Sequence, residues 1–242
     1  MRDPRIEVIA DRFRDVRKVI AVSSGKGGVG KSIVATTLAL TLAKTGAKVG
    51  LLDLDFTSPS THVILGAEGL HPKEERGIIP PVVHNLSYMS IVYYSVDEPV
   101  PLRGADVSNA LIELLAVTRW GELDYLMIDM PPGIGDATLD LLRLIPKISF
   151  LVVTTPSRVA FESVRKLLLL LRETRTPVLG VVENMATKPS DYICGKVEGL
   201  NFRYLGSLGF DAEIEDAIGD TERLMATGFA EEIGALSKKI PD

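Results

Sequence analysis

Residues 19–36 read Val19-Ile20-Ala21-Val22-Ser23-Ser24-Gly25-Lys26-Gly27-Gly28-Val29-Gly30-Lys31-Ser32-Ile33-Val34-Ala35-Thr36. An apolar run of strand length leads into a glycine-rich turn, and the turn leads into a helical pattern. Glycines at 27, 28 and 30 let the backbone fold tightly, so that its N–H groups and the N-terminus of the next helix aim at one point. The spacing Gly25-x4-Gly30-Lys31-Ser32, placed between strand and helix, is that of a phosphate-cradling loop. Lys31 is then expected to reach the β and γ phosphates and Ser32 to ligate Mg²⁺. A plain tight turn with two exposed lysines is the bland alternative, and it leaves the full match unexplained.

Working outward, strand-length apolar runs alternate with amphipathic helical patterns. Strands are predicted at 19–23, 49–54, 88–92, 125–129, 150–154 and 178–183, and helices at 31–45, 105–117, 136–144, 159–174 and 220–237. That alternation predicts an α/β fold, a single doubly wound and mostly parallel sheet with helices on both faces. Residues 56–81 and 186–201 read as irregular. Residues 1–17 are set apart as an N-terminal amphipathic arm before a domain over 18–242, with Ile6, Ile9, Phe13 and Val16 at helical spacing among arginines. Such an arm is either a recognition helix for another protein or a helix packed on its own domain.

The 242 residues suffice for one full core, with 46% apolar and 24% charged residues as in globular proteins. The longest apolar stretches, 148–153 and 167–171, fall far short of the ~20 residues a membrane span needs. A net charge of −5 argues against nonspecific DNA binding. The charged start Met1-Arg2-Asp3-Pro4-Arg5 lacks a signal-peptide pattern, and a single cysteine, Cys194, excludes an intrachain disulfide, so a cytoplasmic location is expected. His62, His71 and His84 show no ligand spacing.

Two carboxylate motifs complete the phosphate chemistry. Asp53 and Asp55 end the second strand on one side of it, by the two-residue period. Leu126-Met127-Ile128-Asp129 is an apolar strand closing on a carboxylate, which would hold Mg²⁺ through water. It runs into Met130-Pro131-Pro132-Gly133-Ile134-Gly135-Asp136, a stiff proline pair followed by glycines, suited to a loop that senses the γ phosphate or to a rigid connector capped by Asp136.

The second lysine of the loop, Lys26, resembles the signature lysine of the MinD, ParA and Mrp group of deviant Walker A ATPases. From about residue 18 to about 232 the chain looks like the Mrp/ApbC branch. Leu102-Arg103-Gly104, Trp120-Gly121-Glu122-Leu123-Asp124-Tyr125, 129–136, Thr154-Thr155-Pro156 and Val182-Glu183-Asn184-Met185 carry the likeness. The resemblance implies a homodimeric ATPase that binds ATP or ADP with Mg²⁺ on Gly25, Gly27, Gly28, Val29, Gly30, Lys31, Ser32 and Ile33. By the same likeness Lys26 reaches across the dimer interface to the other subunit's nucleotide. Asp55 orients or deprotonates the attacking water, and Asp53 is structural or near Mg²⁺. Asn184 hydrogen-bonds the adenine and the segment 206–211, ending at Asp211, borders the base, with Gly209 where the family usually has proline.

Members of that branch serve metallocentre assembly, most often as iron–sulfur cluster carriers with a Cys-x-x-Cys after the Asn-Met pair. Here the second cysteine position is kept as Cys194 and the first is Asp191. The loss of two thiolates from a four-thiolate site makes an iron–sulfur cluster an unlikely cofactor on this reading. The expectation therefore shifts to a sibling role. The chain resembles the archaeal ATPase form of HypB, assisting nickel delivery by a HypA-type chaperone in nickel–iron hydrogenase maturation. The iron–sulfur carrier is the alternative, and a MinD/ParA-like positioning ATPase the second. Asp191 and Cys194 from two subunits form a candidate transition-metal site, against the simpler reading of Cys194 as a small apolar residue. No nucleic-acid partner is expected.

Overall fold

The computed structural model describes residues 3–93, 105–145, 147–188 and 190–241. Helix α1 (Arg5–Arg12) precedes β1 (Val16–Ser24), whose Val16, Val19, Ile20 and Val22 favour an extended chain buried on both faces. Then come α2 (Lys31–Lys44), β2 (Val49–Asp53), α3 (Thr61–Leu65) and a small ribbon of β3 (Lys73–Glu74) and β4 (Ile78–Ile79). Next are β5 (Val82–Val83), β6 (Leu86–Ser90), α4 (Ala105–Val117), β7 (Leu123–Asp129), α5 (Asp136–Leu144) and β8 (Ile148–Thr154). The last third holds α6 (Arg158–Glu173), β9 (Val178–Ala186), α7 (Asp191–Gly199), β10 (Tyr204–Gly209), α8 (Glu213–Ala217), α9 (Thr221–Leu224) and α10 (Gly228–Ser237).

The strands form one eight-stranded sheet in the order β10-β9-β8-β1-β7-β2-β6-β5. All neighbours are parallel except β5 against β6. The period of two divides β1 between two cores. Val19 and Ala21 face a layer containing residues of α1, α4, α5, α6 and α7, while Ile20 and Val22 face α2 and α10. The sheet is thus covered on both sides, the doubly wound arrangement read from the alternation of patterns. Strand β1 lies at its centre, between β7 and β8, where connections depart to either side. In open α/β sheets the ligand crevice lies outside the carboxyl ends of the strands at such a point.

Local departures from the sequence reading have physical causes. Residues 186–201 are not irregular: α7 starts at Asp191, capped by the Ser190 hydroxyl, which accepts from Ile193 N at 3.2 Å. Gly195 and Gly199 dilute its helical pattern. The helix expected over 220–237 is two helices, because the Asp220 and Thr227 side chains each cap a new start. Within 56–81, α3 is held by Asp53 as described below. Helix α1 packs against α4, with Ile9 fully buried and Phe13 nearly so. Leu102, Arg103 and Gly104 lie outside the described residues. Among the described residues no helix is long and apolar enough to cross a membrane.

Candidate functional site

The loop between β1 and α2 turns on Gly28 (φ 74°) and Gly30 (φ 77°), conformations that glycine adopts without a Cβ penalty. At Gly30 space matters as well, since an added Cβ would stand 2.3 Å from Asn184 Nδ2. Gly25 is equally hemmed in, against the backbone of Ser163 and Val164 in α6 at 2.5 Å. The loop borders a cleft of about 430 Å³ whose wall also includes Lys26, Lys31, Ser32, Asp55 and Pro132. A second cavity of about 280 Å³, lined by Asn184, Met185, Gly209, Phe210 and Asp211, adjoins it, and Ile33 belongs to both. The two cavities therefore meet at the start of α2.

Lys31 is buried and its Nζ lies 2.6 Å from Asp129 Oδ1 and 3.4 Å from Ser32 Oγ. Strand register brings Asp129 beside Asp53 of β2. Burial pushes the Asp129 carboxyl up to about 6 against the pull of the Lys31 ammonium, and the Asp53 charge adds to the rise. Asp129 Oδ2 is buried with no hydrogen-bond partner. An unsatisfied carboxylate oxygen close to the Ser32 hydroxyl fits a hydrated divalent cation, which these two side chains would hold.

Asp53, which ends β2, and Asp55, two residues beyond it, differ in role. Asp53 is fully buried, with burial raising its carboxyl. It accepts from Asp55 N (3.0 Å), from Ser60 N and Thr61 N (3.2 and 3.1 Å) and from Thr61 Oγ1 (2.7 Å). It staples the following loop and the start of α3, which is a structural task. Asp55 Oδ1 accepts from Thr57 N, Thr57 Oγ1 and Ser58 N at 3.2, 2.6 and 3.1 Å, which fixes the carboxylate at the cleft wall. Thr57 and Thr61 were not singled out from sequence; the run Thr57-Ser58-Pro59-Ser60-Thr61 after an Asp-x-Asp was the available signal.

Lys26 is exposed, and its carbonyl accepts from Ser24 Oγ at 2.8 Å. Gly133 N, in the proline-glycine loop after β7, donates to Ser24 O at 3.0 Å, so that loop is tied to the end of β1. At the second cavity Asn184 Nδ2 donates to Val29 O at 2.9 Å. Both Asp211 oxygens are engaged by backbone amides, of Glu213 at 2.9 Å and Phe229 at 3.2 Å, so Asp211 shapes the pocket wall. Gly209 N donates to Glu232 Oε2 at 2.6 Å, a bond that a proline at 209 could not make.

Asp191 and Cys194 stand one turn apart in the first turn of α7, three residues away from each other and hence on one helix face. Burial, with the neighbouring carboxylates of Glu198, Asp191 and Glu183, pushes the half-buried Cys194 thiol up. Among the described residues no three His, Cys, Asp or Glu side chains form a metal-binding group.

The family described as NUBPL iron-transfer P-loop NTPase, within the ParA group, matches residues 15–203. The chain belongs to that family. This P-loop NTPase is 45% identical over 190 residues to the iron–sulfur cluster carrier protein of Pseudomonas fragi, a match over 77% of the chain and 66% of that protein. It is 40% identical over 223 residues to the protein of the same name from Saccharolobus solfataricus, over 85% of the chain and 75% of the relative. The chain spans 47% to 66% of the length of the carriers from Escherichia coli, Aquifex aeolicus and Pseudomonas fragi. Among solved structures, a nucleotide-binding protein of Archaeoglobus fulgidus in complex with ADP superposes with a TM-score of 0.78. It is 30% identical, and the match covers 94% of this chain and 96% of that one.

These relatives overturn two expectations. Nickel delivery with a HypA-type chaperone gives way, because the relatives are named for carrying iron–sulfur clusters. The exclusion of an iron–sulfur cluster falls with it. Other side chains replace cysteine in known clusters, so one missing thiol at the start of α7 is a weak ground against a likeness spanning most of the chain.

Proposed function

We propose that this chain binds Mg·ATP in the cleft, hydrolyses it as a homodimer and carries an iron–sulfur cluster as cargo at Cys194. The observation that carries the reading is the position of Cys194: the chain's only thiol lies in the first turn of the helix that follows β9, and β9 also brings Asn184 onto the phosphate loop. The names of the relatives supply the cargo.

The backbone of 25–30 and the N-terminus of α2 hold the phosphates, and Lys31 leaves Asp129 to pair with them. Ser32 and Asp129 hold Mg²⁺, which neutralises charge on the phosphates. Asp55, fixed by its three donors, orients the attacking water, and Lys26 of each subunit stabilises charge on the other's nucleotide. Ile33 and Asn184 flank the base. Two protomers together bring two Cys194 thiolates and two Asp191 carboxylates, four donors for one bridging cluster. Carboxylate is a harder ligand than thiolate and holds a soft cluster less firmly, which suits cargo that must be handed on.

Anaerobic reconstitution with iron and sulfide tests the cargo. The wild-type dimer is expected to take up one cluster, seen as a charge-transfer absorption band with matching iron and sulfide content, and Cys194→Ser to take up none. Equal uptake by both proteins refutes the site, and no uptake by the wild type refutes the carrier role. In parallel, Lys26→Ala is expected to bind nucleotide but to lose hydrolysis by about 100-fold or more, the scale of removing one transition-state donor. Undiminished turnover by this variant would exclude a role for Lys26 across the interface.

A further inference from the structure

Neighbouring residues on a strand point to opposite faces of the sheet, and on β9 the pair Glu183 and Asn184 connects two places the proposed function needs. On one side Asn184 Nδ2 bonds Val29 O and presses on Gly30, so it is in direct contact with the phosphate loop. On the other, Glu183 is completely buried, and its Oε2 accepts from Tyr204 OH at 2.7 Å and from Ser190 N at 3.2 Å. Ser190 in turn organises the first turn of α7. Its carbonyl accepts from Cys194 N at 3.0 Å and its hydroxyl from Ile193 N at 3.2 Å. From the loop carbonyl to the cysteine amide there is thus a continuous path of hydrogen bonds with two backbone steps, between 183 and 184 and across Ser190.

The carboxylate is not explained by packing. Its Oε1 is buried with no partner, an arrangement that costs free energy relative to an apolar or amide side chain of the same shape.

We infer that Glu183 is a positioning residue that transmits nucleotide occupancy at Val29 and Gly30 to the setting of Cys194. A nucleotide that shifts the loop carbonyl moves Asn184 and the end of β9, and Glu183 carries that movement to Ser190 and so to the first turn of α7. The inference rests on the proposed nucleotide site for its input and on the cargo role of Cys194 for its purpose.

Cys194 is the only cysteine, so a chromogenic aromatic disulfide reports this one thiol in the intact protein. ADP is the ligand of choice, because it leaves out a triphosphate-driven dimer that would shield the thiol directly. Saturating ADP is expected to change the wild-type modification rate about fivefold or more, the lower range of coupling between two sites. In Glu183→Ala the change should shrink below about twofold with ADP affinity retained, whereas Glu183→Gln, which keeps the acceptor and offers an amide where Oε1 stands, should restore it. Tyr204→Phe keeps the packing and removes one of the two bonds to Glu183, so it should lose part of the response. It decides the matter if Glu183→Ala does not fold.

A wild-type rate unmoved by bound ADP overturns the inference while leaving the nucleotide site intact. So does a full response in Glu183→Ala or, where that variant fails to fold, in Tyr204→Phe. Absence of ADP binding to the wild type, read by calorimetry, removes the nucleotide reading and this inference together.

Discussion

At the scale of single residues, the phosphate loop is constrained from two sides, by backbone conformation and by neighbours. Gly30 combines a left-handed φ of 77° with Asn184 Nδ2 at 2.3 Å from any added Cβ. Gly30→Ala is therefore expected to lower stability by about 1–2 kcal/mol from the left-handed conformation alone. It should also displace Asn184, so that calorimetry shows nucleotide binding lost while circular dichroism shows the fold kept. Lys31 is paired with Asp129 in the structure, and in the proposed function it exchanges that partner for phosphate. Lys31→Met leaves Asp129 buried without its counter-charge, and breaking a buried pair in this way costs about 3 kcal/mol or more. Urea denaturation of the nucleotide-free protein should register that loss, separately from the loss of nucleotide affinity. The loop glycines, Lys31, Ser32 and Asp129 stand out as candidates in sequence because each belongs to a short local motif, and the structure brings Lys31, Ser32 and Asp129 together. The stapling role of Asp53 was not, because its partners Ser60 and Thr61 lie seven and eight residues on and meet it only through a folded turn.

At the scale of elements, long and strongly patterned segments are legible to within a residue or a few: α4 and α5 as observed, α2 one residue shorter than expected, and α6 shifted by one residue at both ends. The errors fall where a short cap outweighs a long pattern. Residues 220–237 look helical throughout, yet Thr227 caps a fresh start by accepting from Ala230 N at 3.2 Å. Thr227→Ala is expected to cost about 1 kcal/mol, the usual worth of an N-cap, and a fall in melting temperature with unchanged nucleotide affinity would register it. Strand β10 escaped notice because it is an edge strand with two glycines and an interrupted register, stabilised by pairing with β9 and by the bond from Gly209 N to Glu232.

At the scale of the whole molecule, α1 belongs to the same buried layer as α4 and α5. Ile9 has no exposed surface and its cluster includes Leu111, Leu115 and Leu141. Ile9→Ala is expected to destabilise the protein by about 3 kcal/mol, as core truncations do, with a lower urea midpoint and an unchanged slope. An effect near zero would mean that the helix is dispensable to the domain. The sequence by itself determined the phosphate loop, the doubly wound class and the family likeness, since each depends on residues close together in the chain or on a repeated period. It misjudged the metallocentre, because one missing cysteine was weighed as a local count. Only the tertiary structure set Asp53 beside Asp129, Glu183 against Ser190 and Tyr204, and Asn184 on the phosphate loop 155 residues away. Strand order and register bring such groups together, and both are settled by which apolar faces can be buried at once.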